Sequence, residues 1–304
     1  QLALGMDRLA WVTLLPLLLI GVGVLLTPSL LDKTGPRPLL GTALLLLMLG
    51  SALRFDLASG TLLIASAALC GLGSALVQGV LPGLIKRAFA GKVPLVMGIF
   101  SACMMGGGAL GAVLTPRVAV HLDWSRALAL WSLPVLLALV WLGWRVRLPA
   151  AAPHSPVSGE QRLIALPRAW LLIACFGIIN SGYGIVVAWL APAYLALGWS
   201  PQQGGELVAW LALAQTVSGL GLPLLAARKL DRRPWMGLAI VMQVAGFGGL
   251  WLAPEVAPIL WCLLCGAGLG GSFSLIMVIA LDHLPDPRRA GSLSALMQGF
   301  GFIL

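Results

Sequence analysis

The sequence predicts an all-α polytopic membrane protein, and three observations predict it. Of its 304 residues 60% are hydrophobic and only 10% charged, with a mean hydropathy of +0.99. A soluble domain of this length carries about 25% charged residues. The apolar residues fall in runs of about 20, the length of helix that crosses a hydrocarbon core of about 30 Å. The charges that do occur sit in short loops between those runs.

Ten spans follow from that punctuation. The first, Leu9 to Leu31, ends at the charged loop Asp32 to Pro38. Leu39 to Leu53 is the second and stops at Arg54 and Asp56; Thr61 to Ile85 is the third and stops at the basic turn containing Lys86, Arg87 and Lys92. Val93 to Thr115 is the fourth. It is rich in glycine (Gly98, Gly106, Gly107, Gly108, Gly111), which permits close backbone contact or a bend. A loop with Arg117, His121, Asp123 and Arg126 leads to the fifth, Ala127 to Trp144. Arg145 to Arg168 is the longest polar connection; Pro149, Pro153, Pro156 and Gly159 mark it as a flexible linker between an N-terminal half (1–144) and a C-terminal half (169–304). The later spans are Ala169 to Leu197, Gly205 to Ala227, Trp235 to Ala253 and Pro258 to Leu281, with a tenth starting near Ala290.

Loop charge sets orientation. Alternate loops on one side carry 15 of the 19 Lys and Arg residues, leaving Arg8, Arg54, Arg117 and Arg126 on the other. The positive-inside rule puts the richer side, including the Arg145 to Arg168 loop, in the cytoplasm. The net charge of +9 thus reflects topology rather than a nucleic-acid surface, because the basic residues punctuate spans and form no single patch; contact with anionic lipid is a minor addition. All five cysteines lie inside apolar runs. Cys262 and Cys265 have a metal-like spacing but no accompanying His or carboxylate, so they read as packing residues and no metal site is expected.

A repeat runs through the chain. Gly21-Val-Gly23 echoes Gly219-Leu-Gly221, Cys70-Gly-Leu-Gly73 echoes Cys265-Gly-Ala-Gly268, and Ser101-Ala echoes Ser294-Ala. In this register the sixth span has no partner in the first half. The expectation is a protein of twelve helices in two pseudo-symmetric halves of six, typical of secondary transporters. The spans present would be numbers 2 to 11, with helix 1, part of helix 11 and helix 12 outside the chain.

An enzyme would need a nucleophile, metal ligands or paired acids near a membrane face. His121, His154 and His283 are isolated in loops, and Asp282-His283 with Asp286 reads as a turn set by Pro285 and Pro287. No catalytic residue is expected. No ionisable residue lies near the middle of a span, so no proton carrier or fixed charge for an anion stands out in these spans. Proton coupling stays open, helix 1 being a place where either a proton carrier or a fixed charge for an anion can reside, and no cofactor is expected.

Several stretches carry a resemblance: Val80-Leu-Pro-Gly-Leu-Ile-Lys-Arg87, Met97-Gly-Ile-Phe-Ser-Ala, Met105-Gly-Gly-Gly-Ala, Ala188-Trp-Leu-Ala-Pro192 with Gly198-Trp-Ser200, Asp231-Arg-Arg-Pro-Trp235 and Leu293-Ser-Ala-Leu-Met-Gln-Gly299. Together they resemble the bacterial cyanate transporter family of the major facilitator superfamily, which also includes 2-nitroimidazole exporters. The resemblance implies the major facilitator fold, a place in the bacterial inner membrane and alternating access for a small solute, either import of a cyanate-like anion or export of a nitroimidazole-like compound. Multidrug-type efflux is the alternative, and a channel or sensor a more distant one. A monomer is expected, with the bilayer and the solute as its partners.

The superfamily signature between helices 2 and 3, G-x-x-x-D-R-x-G-R-R, is matched by Asp32, Lys33, Gly35 and Arg37, while Pro28 departs from it. Asp231, Arg232 and Arg233 form the shorter second-half counterpart. The resemblance implies a conformational-switch role for both loops. It also implies that helices 2, 4, 5, 7, 8, 10 and 11 line the solute cavity. The mid-span polar residues on those helices are therefore the expected solute contacts: Gln78 and Ser74, Asn180 and Tyr183, Gln215, Ser272 with Ser274, and Gln298. Their chemistry is neutral hydrogen bonding; helix–helix bonding is the competing role, above all for the serines. Trp189 is expected either as an aromatic wall or as a lipid-facing residue.

Overall fold

The computed structural model describes residues 6–55, 59–146, 163–228 and 231–303, with side chains described from residue 14 onward. Regular structure among them is entirely helical. Helix α1 (Met6–Thr34) and α2 (Pro36–Ala52) meet at Gly35, whose φ of 82° closes the turn. A residue with a Cβ is strained there. Helix α3 (Gly60–Ala88) is followed by a 3-10 turn, Ala90–Lys92, and then by α4 (Val93–Leu122).

Helix α4 outruns the expected span by seven residues. At 30 residues it is about 45 Å long, so its Arg117 and His121 end extends past the hydrocarbon while staying helical. It passes unbroken through Gly106, Gly107 and Gly108. The fifth expected span is instead two helices, α5 (Trp124–Ala129) and α6 (Ser132–Trp144). The break precedes Pro134. With no N–H on Pro134, the Leu130 carbonyl loses its helical donor and takes the Leu133 N–H at 3.0 Å instead.

Residues 147–162, most of the expected linker, lie outside the described residues. The chain resumes in α7 (Pro167–Ala196), α8 (Pro201–Ala226), α9 (Arg233–Leu252), α10 (Pro258–Asp282) and α11 (Pro287–Ile303). Helix α8 starts four residues before the apolar run. Ser200 and Gln203 form a reciprocal capping box and Pro201 stands at the first position, which together satisfy the orphan amides of the first turn. Helix α11 likewise starts early, where the Asp286 carboxylate accepts from the Arg288 N–H at 3.0 Å. Eight segments among the described residues are long and apolar enough to cross a membrane, and Pro36–Ala52 is a shorter apolar helix. Large apolar side chains stand exposed on α6 and α9, among them Leu137, Trp141, Val241 and Val244, where a bilayer would cover them.

The chain forms two compact units, and they do not follow chain order. One comprises residues 1–88, 114–173 and 284–304; the other comprises 89–113 and 174–283. In the first, α3 packs against α1 and α2, α11 packs against both α1 and α3, and α2 packs against α6. Val24, Ala75 and Ala295 are the small buried residues where α1, α3 and α11 meet. In the second unit α10 packs against α8 and α9 and is the most buried helix. Its glycines allow this. A Cβ on Gly268 would stand 2.7 Å from the Ala239 carbonyl of α9, so only glycine admits that approach. Cys262 and Cys265 are free thiols inside an apolar cluster with Leu211 and Leu269.

Candidate functional site

Helices α3 and α11 bring together two of the expected solute contacts, Gln78 and Gln298. Gln298 is wholly buried and Gln78 is 8% exposed. The Gln298 amide donates from Nε2 to the Gln78 carbonyl and the Ser294 carbonyl at 3.4 Å each, and to Ser294 Oγ at 3.2 Å. Two of these partners are main-chain carbonyls, which only accept. The nitrogen must therefore face them, and Oε1 must point the other way. Gln298 Oε1 and Gln78 Oε1 are both buried without a hydrogen-bond partner among the described residues. Such an atom costs about 1–3 kcal/mol, which marks the junction as polar by requirement and not by packing. Ser74 is half-buried one turn before Gln78, on the same face of α3.

In the second unit the expected contacts have separate environments. Asn180 is half-buried on α7, and Tyr183, three residues on, is 42% exposed beside it. Gln215 of α8 is 5% exposed. Ser272 is fully buried and already bonded: Oγ lies 3.2 Å from the Leu269 carbonyl and 3.5 Å from Gln243 Oε1. That is the helix–helix role. Gln243, which reaches this seryl group from α9, escaped the sequence reading because α9 is not a cavity helix in the family; its signal was a glutamine in mid-span. Ser274 Oγ is buried with no partner among the described residues. Trp189 is 67% exposed on one stripe with Ile178 and Ile185. Six residues from Tyr183, it points about 120° away from it around the helix, so it stands on an apolar face and not with Asn180 and Tyr183.

The first charged loop lies at one end of the first unit. Asp32, at the end of α1, is ion-paired with Arg288 in the first turn of α11, each side chain about a third exposed. Lys86 at the end of α3 donates to the Leu284 carbonyl just ahead of α11. Between these two locks α3 and α11 touch backbone to backbone. A Cβ on Gly83 would lie 3.1 Å from the Gly291 Cα. A cleft of about 230 Å³ lies there and is lined by Asp32, Gly79, Gly83, Arg87, Asp286 and Gly291 among others. Arg37 points elsewhere, donating to the Gly143 carbonyl at 2.7 Å and strapping α2 to α6. Lys33 is exposed.

The second-half loop is wired differently. Asp231 accepts from the Arg233 N–H at 3.0 Å and so turns the chain into α9. Arg232 pairs with Asp282 at the end of α10 at 2.7 Å, while Arg233 is exposed. Neither Arg288 nor Lys86 was legible as a lock from sequence, since each partner lies about 200 residues or more away in the chain.

The family model described as Major Facilitator Superfamily matches residues 1–304. The cyanate transport protein CynX of Escherichia coli (strain K12) is 41% identical over 298 residues, which cover 97% of this chain and 77% of that protein. The 2-nitroimidazole transporter of the same organism is 32% identical over 295 residues, covering 96% of this chain and 75% of that protein. Among solved structures, the E. coli fucose:proton symporter FucP superposes with a TM-score of 0.75 at 12% identity, over 97% of this chain and 82% of that one.

Proposed function

This chain belongs to the Major Facilitator Superfamily and is a multi-pass membrane transporter, and on that premise we propose that it is a secondary active carrier of a small solute, working by alternating access across the bacterial inner membrane. The solute is a cyanate-like anion or a nitroimidazole-like compound. The observation that carries this reading is the identity of 41% and 32% to a cyanate and a 2-nitroimidazole transporter along nearly the whole chain.

In this reading residues 1–144 and 169–304 are the two moving halves and 145–168 the cytoplasmic linker. Helix α11 belongs to the second half by sequence, yet it is packed on α1 and α3 of the first. The contacts at its start then act as the cytoplasmic clamp. To open inward, the protein must break the Asp32–Arg288 pair, release Lys86 from the Leu284 carbonyl, and part Gly83 from Gly291. Each contact is made in one state and lost in the other, which is what a two-state switch requires. Next to the clamp, Gln78 and Gln298 supply solute hydrogen bonds from the first unit; Asn180, Tyr183 and Gln215 are the candidate solute contacts within the second unit taken by itself. The carrier works as a monomer without a bound cofactor.

The test is flux of radiolabelled cyanate and of 2-nitroimidazole by the full-length protein, in whole cells and inverted vesicles, with and without a proton gradient. Saturable flux of one solute, reduced about tenfold by Asn180→Ala, is expected. Collapse of that flux with the gradient identifies the proton as coupling ion. If neither solute moves while a drug-like cation does, multidrug efflux replaces this reading.

A further inference from the structure

The buried amide of Gln298 carries information about which solute is moved. Its nitrogen is committed to two main-chain carbonyls and the Ser294 hydroxyl, so its carbonyl oxygen is held with its lone pairs free. The Gln78 side chain presents a second partnerless carbonyl oxygen at the same α3–α11 junction. A lone amide oxygen attracts a hydrogen-bond donor and repels an anion, because it is the negative end of the amide dipole. On Gln298 nothing offsets that polarity, because its amide nitrogen has no free N–H left to offer an acceptor.

We propose that Gln298 accepts a hydrogen bond from the carried solute, so that the solute class is an uncharged compound bearing an N–H donor, and not a donor-free anion. This rests on the transport reading above and chooses within it. In the clamped state the junction is closed, with Gln298 fully buried and its oxygen unsatisfied. When α11 parts from α3, the bond to the Gln78 carbonyl is lost, the two N–H groups stay with the Ser294 carbonyl and Oγ of α11 itself, and the solute N–H takes up the oxygen. The unsatisfied atom thereby makes the empty clamped state costly and favours the solute-bound open one, which couples recognition to the switch.

The experiment is equilibrium binding to the purified full-length protein of two probes, 2-nitroimidazole and 1-methyl-2-nitroimidazole, in mildly acidic buffer where the ring nitrogen of the first keeps its proton. They differ in the donor and in one methyl group. The wild-type protein is expected to bind the N–H probe at least about tenfold more tightly, the effect of leaving one buried acceptor unsatisfied when the donor is missing. In Gln298→Met, which keeps the shape and removes the oxygen, the preference is expected to vanish through loss of affinity for the N–H probe alone. Equal affinity of both probes for the wild type overturns the inference while leaving the transport reading standing, and needs no variant to fold. Equal weakening of both probes in Gln298→Met also overturns it, because the residue then acts through packing. If neither probe binds while cyanate does, the transport reading survives and the N–H assignment falls; if none of the three binds, both fall.

Discussion

Asp32 and Asp231 stand at equivalent places in the two halves of the chain, each after a long apolar helix and beside basic residues, yet they do different work. Asp32 reaches a residue 256 positions away and ties α1 to α11. Asp231 reaches two residues along its own chain and shapes the start of α9. The ion pair next to it, Arg232 with Asp282, joins α9 to α10 inside one compact unit. A repeated sequence signature thus specifies a charged turn in both halves, and the packing decides which turn ties two distant helices together and which shapes the start of its own helix; in the proposed transport cycle the first is the clamp and the second a strut. A contact that must break during transport contributes to the balance between states. A contact that never breaks contributes to the stability of the fold.

The largest separation between these roles is expected at the α3–α11 crossing. Gly83→Leu cannot be accommodated against Gly291, so the clamp stays open, and flux should fall by more than about tenfold. A cysteine placed at 298 should become reactive to a cytoplasmic thiol reagent in that background. Wild-type flux in Gly83→Leu would remove the crossing from the mechanism.

Next comes the ion pair. Asp32→Asn or Arg288→Gln should lower flux about tenfold by shifting the conformational equilibrium. Stability should change little, since a pair about a third exposed contributes about 0.2–1 kcal/mol. The reversal Asp32→Arg with Arg288→Asp should recover part of the flux. A reversed pair that stays as impaired as either single variant would mean that the two residues do not act on each other.

The smallest effect on transport is expected at the strut. Asp282→Asn leaves Arg232, whose side chain is 17% exposed and has one buried nitrogen without a partner among the described residues. The melting midpoint should drop by about 3 °C, while flux per folded molecule changes less than about threefold. A tenfold flux loss at unchanged midpoint would erase the distinction between the two loops.

Eight of the expected spans are long and apolar enough to cross a membrane among the described residues, and they were readable because each answers a local requirement. Twenty apolar residues satisfy their own backbone hydrogen bonds in lipid, and any basic turn that follows is confined to water. Where the reading slipped, the cause was also local but finer: Pro134 splitting the fifth span, and the Ser200 and Asp286 caps starting helices ahead of their apolar runs. The polar residues were found as types and not as partners. Ser272 shows the limit, since its bonding is decided by Gln243 on a neighbouring helix. Trp189 shows another, since its exposed face follows from which side of α7 is covered.

The sequence by itself determined the class of the protein, the order of its apolar spans and the inventory of neutral polar groups. These depend on composition and on contacts within a few residues. The tertiary structure alone decided that Gln298 lies against Gln78, that Asp32 finds Arg288 and that Gly83 meets Gly291, because each partner lies more than 200 residues away in the chain. An apolar helix has no single face that announces its neighbour, since lipid and protein interior are both apolar. Only the close approach of small residues and the need to satisfy buried polar atoms select which helices touch.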